Sequence, residues 1–239
     1  MQPVVVDALR SSDFWLRIQD VAFRPGDANA PLAGAILSRI PDGCFASKHA
    51  LDLGCGTGSF ARELLSVGRA TGQLERVTAV DLCAQFIEQA QAEPSDVVFQ
   101  CDDVFEYLKR LERPTASLIT MVFSTLVGYS PSRDVELLSL VREALEPGGV
   151  IVVDFPIRSF VPTLARTFVG RGFELTRAID DAGYTNFDYD FGDEVVRLHA
   201  LIHDADSLHR LGAECGLSVS TEEAVVGGQP RLLGFFRES

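Results

Sequence analysis

The chain has 239 residues, 46% of them hydrophobic and 23% charged, enough apolar surface to bury a core and too little charge for disorder. Against 21 Lys and Arg stand 34 Asp and Glu, a net charge of −13 that repels phosphate backbones and anionic bilayers, so neither nucleic acid nor membrane is an expected partner. No apolar run approaches the roughly 20 residues of a bilayer span, and Met1 to Asp7 lacks the features of a secretion signal. Five scattered cysteines (44, 55, 83, 101 and 215), with no CxxC pair, read as free thiols of a cytoplasmic protein and form no metal site.

In chain order, residues 1–48 read as a helical lid segment. Phe14, Trp15 and Ile18 share a helical face, and a second helix runs from Pro31 through Ile36, Leu37 and Ile40. From residue 49 to 154 short apolar strands alternate with amphipathic helices. The strands are His49–Leu53, Val77–Asp81, Val97–Phe99, Leu118–Phe123 and Val150–Val153, the last after a helix closed by Glu146-Pro147-Gly148-Gly149. Nearly all-apolar strands between helices predict a parallel sheet covered on both faces, a doubly wound α/β fold. Residues 155–203 break the rhythm and read as a strand-rich insert, with strands near 173–179, 186–191 and 194–203. Residues 204–239 add a helix over 206–215 and a hairpin about Gly227-Gly228-Gln229-Pro230 that completes the core sheet.

Open α/β sheets bind ligands beyond the carboxyl ends of their strands, where the strand order reverses. Gly54, Gly56 and Gly58 follow the first of these strands and open a helix, so backbone amides can approach a ligand closely. Asp52 ends that strand, where it either braces the loop or orients a ligand amino group. Asp81 ends the second and can accept both hydroxyls of a ribose. Asp102 or Asp103 follows the third and can accept from the amine of adenine, with helix capping the alternative use. Phe123 or Ser124, after the fourth, would lie under a reacting group. The set describes an adenosine-containing cofactor. Gly56-Thr57-Gly58-Ser59-Phe60-Ala61, with Asp81 some 20 residues on, equally satisfies a nicotinamide dinucleotide fingerprint.

Leu51-Asp52-Leu53-Gly54-Cys55-Gly56-Thr57-Gly58 resembles the first motif of class I S-adenosylmethionine-dependent methyltransferases. Val80-Asp81-Leu82 resembles their ribose motif, Gln100-Cys101-Asp102-Asp103 their adenine motif, and Leu145-Glu146-Pro147-Gly148-Gly149 the turn before their fifth strand. The resemblance covers about 49–154 in the family's order. It implies a Rossmann-like seven-stranded sheet, mostly parallel with a C-terminal antiparallel hairpin, and S-adenosyl-L-methionine as cofactor. The cofactor would be held by Asp52, Gly54, Cys55, Gly56, Gly58, Asp81, Leu82, Asp102, Asp103 and Phe123. Phe123 to Tyr129 is similar to a segment of amino-sugar N-methyltransferases, implying a small-molecule acceptor methylated at nitrogen or oxygen. Four departures bear on this. Ser117 stands where an acidic residue often opens the fourth strand, Cys101 replaces a common glycine, and no Asn/Asp-Pro-Pro-aromatic motif or catechol-type metal carboxylate is present.

His199 and His203 fall on one strand face with Arg197 by period two, either as solvated polar groups or as a base or orienting group for the acceptor. Tyr129 offers a pocket hydroxyl. Phe187, Tyr189 and Phe191 form an aromatic stripe, either core or pocket wall, and Arg17 and Arg24 are candidate partners for the methionine carboxylate. The insert strands also offer a route to a homodimer. The rival readings are an NAD-dependent oxidoreductase, for which no Tyr-x-x-x-Lys pair is present, and a non-catalytic nucleotide-binding module.

Overall fold

The computed structural model describes residues 4–5, 14–17, 28–112, 114–123, 125–126, 131–163 and 173–238. A two-residue strand, β1 (Val4–Val5), and a helical turn at 14–17 precede α1 (Asn29–Leu37). The core follows in strict alternation: β2 (His49–Leu53), α2 (Ser59–Thr71), β3 (Arg76–Asp81), α3 (Ala84–Ala92), β4 (Val98–Cys101), α4 (Val104–Arg110), β5 (Ala116–Met121), α5 (Pro131–Ala144) and β6 (Leu145–Pro156). Then come β7 (Phe173–Arg177), β8 (Tyr184–Asp190), β9 (Val195–Leu201), α6 (Ala205–Glu214), β10 (Leu217–Val226) and β11 (Gln229–Glu238).

The main sheet has seven strands in the order β10-β11-β6-β5-β2-β3-β4. The five from β6 to β4 are parallel, while β11 runs antiparallel to β6 and β10 antiparallel to β11. The order reverses between β2 and β5, which fixes the ligand crevice above the carboxyl ends of those two strands. Every residue of β2 and β5 is buried, because helices cover both faces. Period-two alternation sorts the side chains. Val150, Val152, Leu233 and Phe235 meet α1 and α2 through Leu32, Ile36 and Leu64, whereas Ile151, Val153, Phe155 and Phe236 meet α4, α5 and α6 through Leu108, Leu138 and Leu208. The closing hairpin turns on Gly227 and Gly228 alone, with φ of 56° and 76°. Two consecutive left-handed residues match the strand twist, and only glycine adopts them freely.

Two details differ from the sequence expectation. The strand expected from Val150 begins at Leu145: it pairs with Ala116, and the register shifts before Val150 meets Leu118, so Glu146-Pro147-Gly148-Gly149 is an irregularity within β6. The insert sheet also has four strands, ordered β1-β9-β8-β7, because Val4 and Val5 pair in parallel with Val196 and Arg197. Two residues carry no readable periodicity.

Phe14 packs edge-on to Tyr189 and Phe191, at 5.4 and 6.4 Å between ring centroids, and Arg17 forms ion pairs with Asp193 and Glu194. These residues of the expected lid therefore dock on the insert rather than on the main sheet. Phe187 and Tyr189 lie in the small core beneath it with Val196, Leu198 and Val161. No described helix is long and apolar enough to cross a membrane.

Candidate functional site

The glycine loop closes the carboxyl end of β2. Gly54 and Cys55 donate their N–H groups to Val80 O at 2.8 and 3.0 Å, and Gly58 N–H donates to Cys55 O at 3.0 Å, folding the loop back before α2 begins. Gly58 is the residue before the helix, with φ of 75°, and no side chain caps the helix there, so the first amides of α2 point outward without a side-chain acceptor. Arg62 secures the loop from behind, donating to Thr57 O at 3.2 Å and Ala90 O at 2.8 Å. A Cβ at Gly58 would run into the Phe99 ring, and one at Gly54 would lie 2.7 Å from Thr125 Cγ2. Gly58→Ala should therefore combine the left-handed penalty of roughly 1–2 kcal/mol with an overpacking cost of about 1–3 kcal/mol. Thermal denaturation should show a drop in Tm on the order of 10 °C.

Asp81, at the end of β3, accepts from Gly56 N–H through Oδ2 and from Cys83 N–H through Oδ1, both at 2.8 Å. Burial raises its pKa, and the two amides partly offset that. Asp52 lies deeper, at 1% exposure. Its Oδ1 accepts from Thr120 Oγ1 at 2.7 Å, while Oδ2 is enclosed and has no hydrogen-bond partner among the described residues. Burial pushes its pKa up to about 7, against the Thr120 hydrogen bond and helped by the charge of Asp81. Burial and the same two carboxylates push the Cys55 thiol well up.

The Asp52 shift has a consequence for stability. The folded chain holds this proton to about pH 7, while the unfolded chain releases it near 3.8. Between those values the folded state binds more protons, so the contribution is full below about pH 4 and lost as pH rises to 7. Asp52→Asn keeps the acceptor for Thr120 and removes the titration. Denaturant midpoints measured from pH 4.5 to 7.5 should fall less steeply in the variant than in the native protein.

The two carboxylates that follow β4 part. Asp103 caps α4, accepting from Phe105 and Glu106 N–H at 2.9 and 3.1 Å. Asp102 donates its own N–H to Asp81 O at 2.9 Å and pairs through its carboxylate with Arg110. Leu82 is half-buried beside them. Phe123 stands two residues beyond β5, in the left-handed region at φ 54°, which is unusual for an aromatic residue. Its N–H donates to Asp154 Oδ1, and its ring meets Phe60 edge-on at 6.0 Å between centroids.

Asp154, fully buried at the end of β6, pairs through Oδ2 with Arg231 Nε, and the Arg231 Cζ lies 5.4 Å from the centre of the Phe123 ring. Asp154 directly follows the expected strand Val150–Val153, whereas no sequence pattern marked Arg231. Thr120 also carried a usable signal, because it and Ser117 are the two hydroxyls of an otherwise apolar β5.

The expected histidine pair does not share a face. His199 is exposed on β9, stacked on Tyr184 at 5.1 Å, with Nδ1 2.8 Å from Asn186 Oδ1. His203 lies two residues past the end of β9 at Leu201, where the period-two alternation no longer applies; Ile202 N–H still donates to Gly183 O. Its ring is buried, with Nδ1 3.1 Å from Ser207 Oγ, Nε2 3.3 Å from Asp134 Oδ2, and its centroid 5.1 Å from that of Phe155. Arg17 is engaged by Asp193 and Glu194 rather than left for a cofactor carboxylate. Arg24, Ser124 and Tyr129 lie outside the described residues. Among the described residues no group of three or more His, Cys, Asp or Glu side chains could hold a metal ion.

Residues 50–149 match a family model described as a methyltransferase domain. The fold is similar to that of an S-adenosylmethionine-dependent methyltransferase from Clostridium acetobutylicum. That structure is 15% identical and has a TM-score of 0.64, with 94% of this chain and 98% of that one covered. It is also similar to the CcbJ methyltransferase from Streptomyces caelestis, at 18% identity and TM-score 0.64 over 93% and 96%. A third likeness is to an S-adenosylmethionine-dependent methyltransferase from Bacteroides fragilis in complex with S-adenosyl-L-homocysteine, at 17% identity and TM-score 0.59 over 87% and 77%. No curated protein matches the sequence.

Proposed function

We propose that the chain, whose residues 50–149 match a methyltransferase domain, is a class I S-adenosylmethionine-dependent methyltransferase that methylates a nitrogen or oxygen of a small-molecule acceptor in the cytoplasm. The observation that carries the cofactor half of this reading is the buried Asp52 Oδ2 without a partner, below a glycine loop that leads into an uncapped helix. An enclosed carboxylate oxygen calls for a donor, and the ammonium end of a methionine moiety supplies one. Asp81, held rigid by Gly56 and Cys83, would take the ribose hydroxyls. Asp102 would take the adenine amine, since Asp103 is committed to its helix.

When bound, the cofactor supplies an already activated sulfonium methyl, so the chain's task is alignment and exclusion of water. Orientation of this kind is worth about 7–11 kcal/mol of a barrier. Phe60 and Phe123 meet edge-on after the two strands that flank the switch point, and an aromatic face there would attract a sulfonium. A neutral amine acceptor needs no base. His203 is poorly suited to be one, because its ring is buried and both of its nitrogens face protein partners. The net charge of −13 supports a small, non-nucleic acceptor.

The test is calorimetric titration with S-adenosylhomocysteine, followed by methyl transfer from labelled S-adenosylmethionine into fractionated metabolites. Binding together with a labelled small product is expected. Binding with label only in protein or nucleic acid would overturn the acceptor assignment.

A further inference from the structure

Arg231 holds a guanidinium in an unusual position. The residue is 6% exposed, at the start of β11 and on the α1 and α2 side of the sheet with Leu233 and Phe235. Its Nε is spent on Asp154. No hydrogen bond runs from Nη1 or Nη2 to any described residue, and neither atom is among the fully enclosed polar atoms that lack a partner. The end of the fork therefore opens away from Asp154, beside the Phe123 ring. Asp154 in turn accepts at both oxygens, from Phe123 N–H at Oδ1 and from Arg231 at Oδ2, so one carboxylate ties the guanidinium to the segment that carries the Phe123 ring.

Strand order says which end of the crevice this is. The adenosine-side carboxylates Asp81 and Asp102 stand on β3 and after β4, on one side of the switch point. Arg231 stands on β11, beyond β5 and β6 on the other side. A cofactor lying from β4 toward β2 leaves the span over β5, β6 and β11 to the second substrate.

We propose that Arg231 is an acceptor-binding residue, and that the acceptor carries a carboxylate held bidentately by Nη1 and Nη2. The planar end of a guanidinium matches two carboxylate oxygens, and a largely desolvated site strengthens that match. Asp154 neutralises much of the charge, which lets Arg231 stand near a sulfonium without opposing it while keeping both donors. The inference rests on the methyltransferase reading and narrows its acceptor class to amines or hydroxyl compounds bearing an acid group.

The probes are adenosine bisubstrate analogues in which nitrogen replaces the cofactor sulfur and bears a short alkyl arm ending in a carboxylate or in the matching primary amide. With the native protein, the carboxylate arm should bind at least tenfold more tightly than the amide arm, and S-adenosylhomocysteine should bind as well. In Arg231→Lys, which retains a cation for Asp154 and loses the fork, that ratio should fall below threefold with S-adenosylhomocysteine affinity within threefold of native. Equal affinity of the two arms for native protein that does bind S-adenosylhomocysteine overturns the inference alone. No binding of S-adenosylhomocysteine overturns the cofactor reading beneath it. A parallel loss of S-adenosylhomocysteine binding in folded Arg231→Lys assigns the guanidinium to the cofactor's own carboxylate and overturns the acceptor role. Since the native comparison needs no variant, a substitution that fails to fold leaves the proposal decidable.

Discussion

Asp81→Ala is expected to weaken S-adenosylhomocysteine binding by two to three orders of magnitude in calorimetric titration. A hydrogen bond to a charged group contributes roughly 1.5–3 kcal/mol, and two ribose hydroxyls on one carboxylate, each at the lower end of that range, sum to about 3–4 kcal/mol. The loss has a second source. Asp81 Oδ2 is the acceptor for Gly56 N–H in the middle of the glycine loop, so alanine also releases the loop that frames the crevice. Asp81→Asn keeps one acceptor oxygen and the side-chain volume and should lose less, on the order of tenfold. Circular dichroism of both variants should match native protein, since water can replace the lost acceptor at this partly exposed site. Unchanged affinity in the alanine variant would remove Asp81 from the cofactor site.

The second large effect concerns stability. Asp154→Ala should cost about 3–5 kcal/mol, because it strands the Arg231 guanidinium without its counter-charge in a nearly closed site. It also leaves Phe123 N–H without its acceptor while the backbone is held at φ 54°. For a chain of this size that corresponds to a fall in Tm on the order of 10 °C or more. The double replacement Asp154→Leu with Arg231→Met removes both charges and should recover most of the loss, since buried ion pairs often contribute little beyond an apolar pair of similar volume. A double variant as unstable as the single would show that the Phe123 N–H, not the ion pair, carries the effect.

The difference between these two carboxylates marks what could be read from the sequence. Both end apolar strands, and a polar residue that ends such a run must sit at the sheet edge, so Asp52, Asp81 and Asp154 were all legible as edge groups. Local patterns also gave the alternating parallel core and the hairpin at Gly227-Gly228, while the count of seven strands came from the family resemblance. What the patterns could not carry was partnership between distant residues. Arg231 reaches Asp154 across 77 positions, because β11 pairs antiparallel with β6 in one particular register.

His203 reaches Asp134 across 69 positions. It was misplaced because period two was extended two residues beyond the point where β9 stops. The choice between Asp102 and Asp103 was likewise invisible, although capping was a stated alternative: which one caps depends on where α4 starts, and that is fixed in three dimensions. The left-handed backbone of Phe123 carries no residue-type signal at all, because glycine and asparagine announce such a conformation and phenylalanine does not.

The pairing of Val4 and Val5 with Val196 and Arg197 has a practical consequence. Those two residues shield one side of β9, and the Arg17 ion pairs with Asp193 and Glu194 clasp the turn just before it. Trimming the first 17 positions would strip that shield and bare a row of main-chain donors and acceptors, the kind of raw border along which sheets of separate molecules knit together. Faster amide deuteration at Val196 and Arg197, with slow clumping on storage, would be the mark of such a shortened form.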